Sequence, residues 1–139
     1  MTSRPAPPPN SLTAGFWEAA GRGELVVQRC VCGTLRHYPQ PMCAACHSSN
    51  WTWQRVSGRG AVYTFTVTHR AFHPAWADRG PYAVATIELE EGVRMVSDLP
   101  PEDTDHVHIG APVEVFFDAQ GADGHDGHGV TLPRFRIVR

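Results

Sequence analysis

The sequence predicts a mainly β protein with a short N-terminal helix, a cysteine-clasped ribbon and a C-terminal five-stranded barrel. Three observations carry this reading. Five segments after residue 57 alternate apolar and polar side chains and are rich in β-branched and aromatic residues. Two cysteine pairs, Cys30-x-Cys32 and Cys43-x2-Cys46, stand ten residues apart. One early segment has apolar residues at helical spacing. The expected boundaries are an extended Pro-rich arm over 1–11, the helix over 12–23, the ribbon over 24–56 and the barrel over 57–139.

The arm carries Pro5, Pro7, Pro8 and Pro9, which exclude helix and central strand. Thr13 is the expected helix cap, with Gly21 and Gly23 as the stop. Phe16, Trp17 and Ala20 form one apolar face, and so short a helix must dock it on something. Glu24 to Arg29 reads as a strand running into the cysteines, and Trp51 to Val56 as its partner. Barrel strands are expected at 61–70, 82–89, 93–99, 113–118 and 132–138. Two long loops, one after the first barrel strand and one before the last, favour the OB arrangement over a meander or an SH3-like barrel. Gly121 to Gly129 is read as a glycine-rich linker, in which His125 and His128 resemble an adventitious metal tract.

Composition narrows the function classes. All 12 cationic side chains of the 139 residues are arginine. Without lysine there is no Schiff base, phosphate-loop lysine or lysine general base. A net charge of −2 speaks against nucleic-acid binding by bulk charge. Charged residues are 19% against roughly 25% in ordinary soluble proteins, so part of the surface is expected to lie against a partner. There is no apolar run of membrane-span length and no hydrophobic signal core, so a soluble, cytoplasmic protein is expected.

Four thiolates at ribbon spacing satisfy tetrahedral zinc and leave no open position, so the site is expected to be structural. The segment from 24 to 56 has few apolar residues, and a metal would stand in for a core. The first knuckle holds one residue, Val31, between its cysteines. Both cysteines could still bind one ion, His37 or His47 could replace one of them, or the four could be a metal-free remnant. A CxxC redox role for Cys43 and Cys46 lacks the surrounding βαβ unit.

Taken in order, Phe16-Trp17, Gly23-Glu24-Leu25, Gln28-Arg29-Cys30, Cys32-Gly33, Cys43-x2-Cys46 and Gly60 form one half of an ordered set. The other half is Tyr63 to Val67, Pro81-Tyr82, Leu89, Glu91 to Arg94, Gly110-x2-Val113 and Pro133-Arg134-Phe135. The set spans residues 12 to 139 and resembles the DUF35 family of acyl-CoA-associated proteins. That resemblance implies a helix, a rubredoxin-like zinc ribbon and an OB fold. It implies an accessory subunit for a thiolase-like lipid-transfer-protein aldolase of steroid side-chain degradation. Alternatives are a MaoC-like enoyl-CoA hydratase or a thiolase as partner. The one-residue first knuckle departs from the family's usual two.

The remaining candidates are weighed for contacts with CoA or a partner. His73, Trp76 and Arg79 fall in the first long barrel loop, where OB folds place ligand contacts, and His69 stands beside it. Phe72 in the same loop is expected to pack on the barrel. Arg134 and Arg136 flank Phe135 and could grip a CoA phosphate, although a solvated strand face accounts for them as well. Phe16 and Trp17 could dock a partner or join a core. No nucleophile–base pair stands at a telling spacing, so no catalytic residue is assigned. Zinc is the expected cofactor, with acyl-CoA as a ligand of the complex. Two further readings remain: a single-stranded nucleic-acid module stacking bases on Trp53, Tyr63 and Phe65, and a free-standing acyl-CoA carrier.

Overall fold

The computed structural model describes residues 7–70, 74–76, 80–120 and 129–139. Phe72, His73, Arg79, His125 and His128 lie outside the described residues, as do the side chain of Trp76 and the arm up to residue 6.

Helix α1 spans Ala14–Gly21. Its entry differs from the expectation. Thr13 takes the N-cap position but makes no side-chain cap bond, because its backbone is already helical (φ −102°, ψ −8°). Asn10 organises the entry instead. Its Oδ1 accepts from the Leu12 and Thr13 backbone N–H groups at 3.0 and 2.9 Å and from the Thr13 hydroxyl at 3.2 Å. The exit closes as a Schellman motif: Gly23 N–H donates to Ala20 and Glu24 N–H to Ala19, with Gly23 at φ +77°. Phe16, Ala19 and Ala20 are buried, a spacing of i, i+3, i+4 that faces the rest of the chain.

Strands β1 (Val26–Cys30), β2 (Leu35–Arg36) and β3 (Trp51–Arg55) form an antiparallel sheet in the order β2-β1-β3. Val26, Val27 and Gln28 are buried in succession, so β1 is covered on both faces. Gln28 is fully buried, and its Oε1 accepts from Arg36 Nε at 2.7 Å and from the Gln40 N–H at 2.8 Å. Helix α1 comes close to β3 at Gly15, where a Cβ would strike the Trp53 indole.

The second sheet contains β4 (Arg59–Thr68), β5 (Tyr82–Leu89), β6 (Arg94–Asp98), β7 (Pro112–Gln120) and β8 (Val130–Ile137). Its order is β6-β5-β4-β7-β8, antiparallel throughout. In β5, Ala83, Ala85, Ile87 and Leu89 all point inward, the alternation legible in the sequence. Strand β4 breaks that alternation. Val62 is buried, while Phe65 and Val67 carry the inward face beyond it. The register shifts between Val62 and Thr64, and this bulge switches the parity and bends the strand.

The sheet curls without closing. Among the described residues β6 and β8 share no strand ladder, so the expected barrel is open at this seam. Side chains bridge it. The Phe135 N–H donates to Ser97 Oγ at 3.1 Å, and Arg134 grips Asp98 through Nε and Nη2 at 2.7 and 3.0 Å. Below them Asp103, 3% exposed, accepts from the Ile137 N–H at 2.9 Å and from Arg139 Nη2 at 3.0 Å.

One continuous core unites the molecule. Phe16 of α1 and Leu25, Val27 and Val56 of the ribbon belong to the same cluster as Val62, Ile87, Leu99, Val113 and Phe135. The ribbon's scarcity of apolar residues is thus met by borrowing the barrel's core.

Replacing Asp98 by Ala should cost about 2–3 kcal/mol in a urea denaturation series, because it strips Nε and Nη2 of a guanidinium that is only 13% exposed and leaves Asp118 as its remaining carboxylate. Gly15→Ala should cost about 1–3 kcal/mol by forcing α1 away from Trp53. A variant as stable as the parent in either series would refute the corresponding assignment.

Candidate functional site

The two cysteine knuckles lie at the tip of the ribbon. Cys30 ends β1, and its chain reverses through Gly33 at φ +91°. The turn is locked by Gly33 N–H to the Cys30 carbonyl at 2.8 Å and Cys30 N–H to the Thr34 carbonyl at 2.9 Å. In the second knuckle His47 N–H donates to the Cys43 carbonyl, and Cys43 N–H to the Ser48 carbonyl, both at 2.9 Å. His47 takes the left-handed φ of 64° that this reversal requires.

All four sulfurs lie within 4.8 Å of one another. Cys30 and Cys46 are 3.4 Å apart, and Cys32 and Cys43 are 3.8 Å apart. A tetrahedron of thiolates at the zinc–sulfur distance has edges of about 3.8 Å, while a disulfide is about 2.05 Å long. The cluster therefore fits one tetrahedral ion, and the four cysteines are free thiols. The short knuckle Cys30-x-Cys32 delivers both sulfurs. Neither histidine belongs to the cluster: His37 packs against the Phe16 ring at 5.2 Å.

Local hydrogen bonds prepare the thiolates. The Thr34 hydroxyl, then its backbone N–H, draw the Cys32 pKa down to about 6. Backbone N–H groups of Cys46 and Ala45 lower that of Cys43. The Ser48 N–H also favours the Cys46 thiolate, but the neighbouring sulfurs and burial outweigh it and push that group up to about 12. Four sulfurs this close cannot all be anions unless a cation sits among them, which is the electrostatic task of a divalent ion. With four ligands it has no vacant position for substrate, so the centre is structural.

The other candidates scatter. Phe16 is 3% exposed and belongs to the chain's own core. Trp17 is half-buried, edge-on to Phe16 with ring centroids 4.8 Å apart. Arg134 spends its guanidinium on Asp98 and, through Nη1, on Asp118 at 2.9 Å. Arg136 is exposed and pairs with Glu114 at 3.0 Å. Both guanidinium groups stand over the Phe116 ring, so they do share one side of β8. The backbone of Trp76 closes a 3₁₀ turn, Pro74–Trp76. The three rings considered for base stacking form no common platform. Trp53 is covered by α1, Phe65 is half-buried, and Tyr63 is capped by Arg94 at 3.7 Å.

Sequence reasoning missed Ser97, Asp98 and Asp103, and considered His37 only as a replacement metal ligand. His37 sits between Phe16 and Tyr38, and burial draws its pKa down to about 4. None of the four carries a spacing signal, because the contacts with Phe16, Phe135, Arg134 and Ile137 that give them their roles lie 20 or more residues away in the chain.

These features define a class: a zinc-ribbon protein with an appended OB-type sheet. The match to known families is narrower. Residues 17–52 match the family described as the rubredoxin-like zinc ribbon domain of ChsH2, and residues 53–118 its C-terminal OB-fold domain. A probable enoyl-CoA hydratase alpha subunit of Thermomonospora curvata is 42% identical over 96% of this chain and 40% of its own length. The 3-oxo-4,17-pregnadiene-20-carboxyl-CoA hydratase alpha subunit of Mycobacterium tuberculosis is 39% identical over 76% of this chain and 33% of its own. The chain thus spans about a third to two fifths of these curated relatives. A chain of the solved Ltp2-ChsH2(DUF35) aldolase superposes with a TM-score of 0.77 and 41% identity, covering 95% of this chain and 98% of that one. The chain belongs to the ChsH2-type DUF35 family. No helix among the described residues is long and apolar enough to cross a membrane.

Metal analysis should find one zinc per chain, and Cys43→Ser should abolish it and unfold the ribbon tip, read as lost amide-exchange protection over residues 30–50. Retention of zinc at unit stoichiometry would exclude the four-cysteine site. For His37, the folded state favours the neutral ring, so its contribution is present above pH 6.5 and is lost as pH falls toward 4. Wild type should therefore lose up to about 3 kcal/mol more than His37→Phe between pH 7 and 4.5 in chemical denaturation. Parallel losses would show that His37 titrates normally.

Proposed function

We propose that this chain is an accessory subunit of an acyl-CoA enzyme, with a structural zinc ion in the four-cysteine site. The partner is a thiolase-like retro-aldolase of steroid side-chain degradation. The observation that carries this reading is the end-to-end match to the DUF35 chain of the Ltp2-ChsH2 aldolase, at 41% identity. The chemistry of the chain agrees with it. The metal centre is saturated, and among the described residues the groups with displaced pKa values are metal-site cysteines, a buried histidine and two arginines held by carboxylates. Arg134 and Arg136 are matched by carboxylates. Among the described residues no side-chain hydrogen bond joins a serine or cysteine to a histidine, and the Ser57 hydroxyl that donates to Glu90 is exposed, so bond cleavage is assigned to the partner.

The chain's part is then to shape and stabilise the partner. Exposed apolar side chains suit such docking: Val31 and Met42 at the ribbon tip, and Ile109 in the turn before β7, 56–70% exposed. Contacts with CoA by the loop residues His73, Trp76 and Arg79 belong to the same reading. The hydratase names of two relatives favour a second partner, an enoyl-CoA hydratase. The chain matches less than half of those proteins, which weighs toward the aldolase.

Co-expression with a thiolase-like aldolase should give a co-purifying complex that cleaves a β-hydroxyacyl-CoA, whereas each chain alone should be inactive or insoluble. Turnover by the purified chain alone would refute the accessory role. A stable complex only with a MaoC-like hydratase would transfer the assignment to the second reading.

A further inference from the structure

The four-cysteine centre has a covered half and an open half. Cys30 and Cys43 are 2% and 1% exposed, whereas Cys32 and Cys46 are exposed residues. All four sulfurs belong to one cluster, so the open pair forms one edge of it. Four thiolates overmatch the charge of a divalent ion, so the loaded cluster stays anionic. Hydrogen-bond donors around the sulfurs then stabilise it.

The donors differ between the two knuckles. Cys43 receives the Ala45 backbone N–H at 3.4 Å. Cys32 instead has the Thr34 hydroxyl 3.1 Å from its sulfur, in a contact that lies at the surface. A metal-bound thiolate carries no proton, so in the loaded centre this hydroxyl must donate. Backbone geometry puts it there. Gly33 reverses the chain at φ +91°, and the Cys30 N–H holds the Thr34 carbonyl at 2.9 Å. A sulfur that shares its electron density with a donor is a weaker nucleophile. The Thr34 hydroxyl is therefore placed to restrain the exposed sulfur of the first knuckle.

We propose that Cys32 and Cys46 form an electrophile-sensitive edge of the zinc centre, and that Thr34 is the positioning residue that restrains Cys32. The co-reactant is a small alkylating agent. The Cys32 sulfur forms a bond to its carbon, and the leaving group departs as a halide ion with the electrons of the broken bond. The product is a neutral thioether, so the cluster loses one anionic ligand. Thiolates that solvent can reach are the ones that react, which selects this edge over Cys30 and Cys43. The edge is a property of the chain before a partner covers the ribbon tip, and it does not depend on which enzyme that partner is.

The zinc-loaded full chain would be treated with substoichiometric iodoacetamide, and the alkylated sulfurs located by fragmentation mass spectrometry. The first label should fall on Cys32 and Cys46. Thr34→Val keeps the shape of the side chain and removes the donor. It should raise the ratio of Cys32 to Cys46 labelling about three- to tenfold. Thr34→Ala should raise it similarly, which separates loss of the donor from a packing fault. Thr34→Ser keeps the hydroxyl and should leave the ratio at the wild-type value. A first label on Cys30 or Cys43, or one spread evenly over the four, would overturn the open edge. An unchanged ratio in Thr34→Val and Thr34→Ala, or an equal rise in Thr34→Ser, would overturn the role of Thr34.

Discussion

The open seam between β6 and β8 is the constraint around which this molecule is built. A five-stranded sheet that curls but does not close leaves two unpaired edges, which attract other strands. Here the edges are joined by the Arg134–Asp98 fork, the Ser97 hydroxyl and the Asp103 carboxylate. Each receives a group from β8 or its continuation, and each stands in β6 or just after it. Arg134 is nearly buried there, with desolvation opposed by Asp98 and Asp118, which together keep it firmly charged. Burial costs the ion pair, but loss of either partner would cost more. The seam also forms the floor on which α1 and the segment after β2 rest.

The ribbon is the second dependent part. Its tip is shaped by two knuckles whose backbone N–H groups and hydroxyl neighbours favour thiolates, and its base is anchored in the common core through Leu25, Val27 and Val56. Metal and core therefore divide the work. The ion organises the tip, where the apolar side chains Val31 and Met42 are exposed, and the core holds the base. Gln28 lies between the two and satisfies the chain passing over β1 through Arg36 and Gln40.

The metal of this chain is coordinatively complete, and Arg59, Arg94, Arg134 and Arg136 of the second sheet are matched by acids. The absence of lysine fits such a surface, because arginine forms planar, fixed pairs rather than loosely solvated charges. The apolar side chains that remain exposed are those available to a partner.

Much of this was legible in the sequence. Cysteine spacing pointed to a metal centre, because thiolates four to a cluster have few other stable uses, while leaving a histidine ligand or a metal-free remnant open. Period-two alternation located β5 at Tyr82–Leu89, since a strand with one buried face writes its pattern directly into the chain. The ordered motif set identified the family. The rest was decided by tertiary structure. The bulge in β4 set which of Val62, Phe65 and Val67 share a face, and it depends on pairing with two different strands. Asn10 rather than Thr13 organised the helix entry, because the Thr13 backbone is already helical. Arg134, which in sequence resembles a phosphate grip, became a structural fork because Asp98, 36 residues away, lies across the seam. Local spacing records which face a residue occupies. Only the closed path of the chain decides what stands opposite.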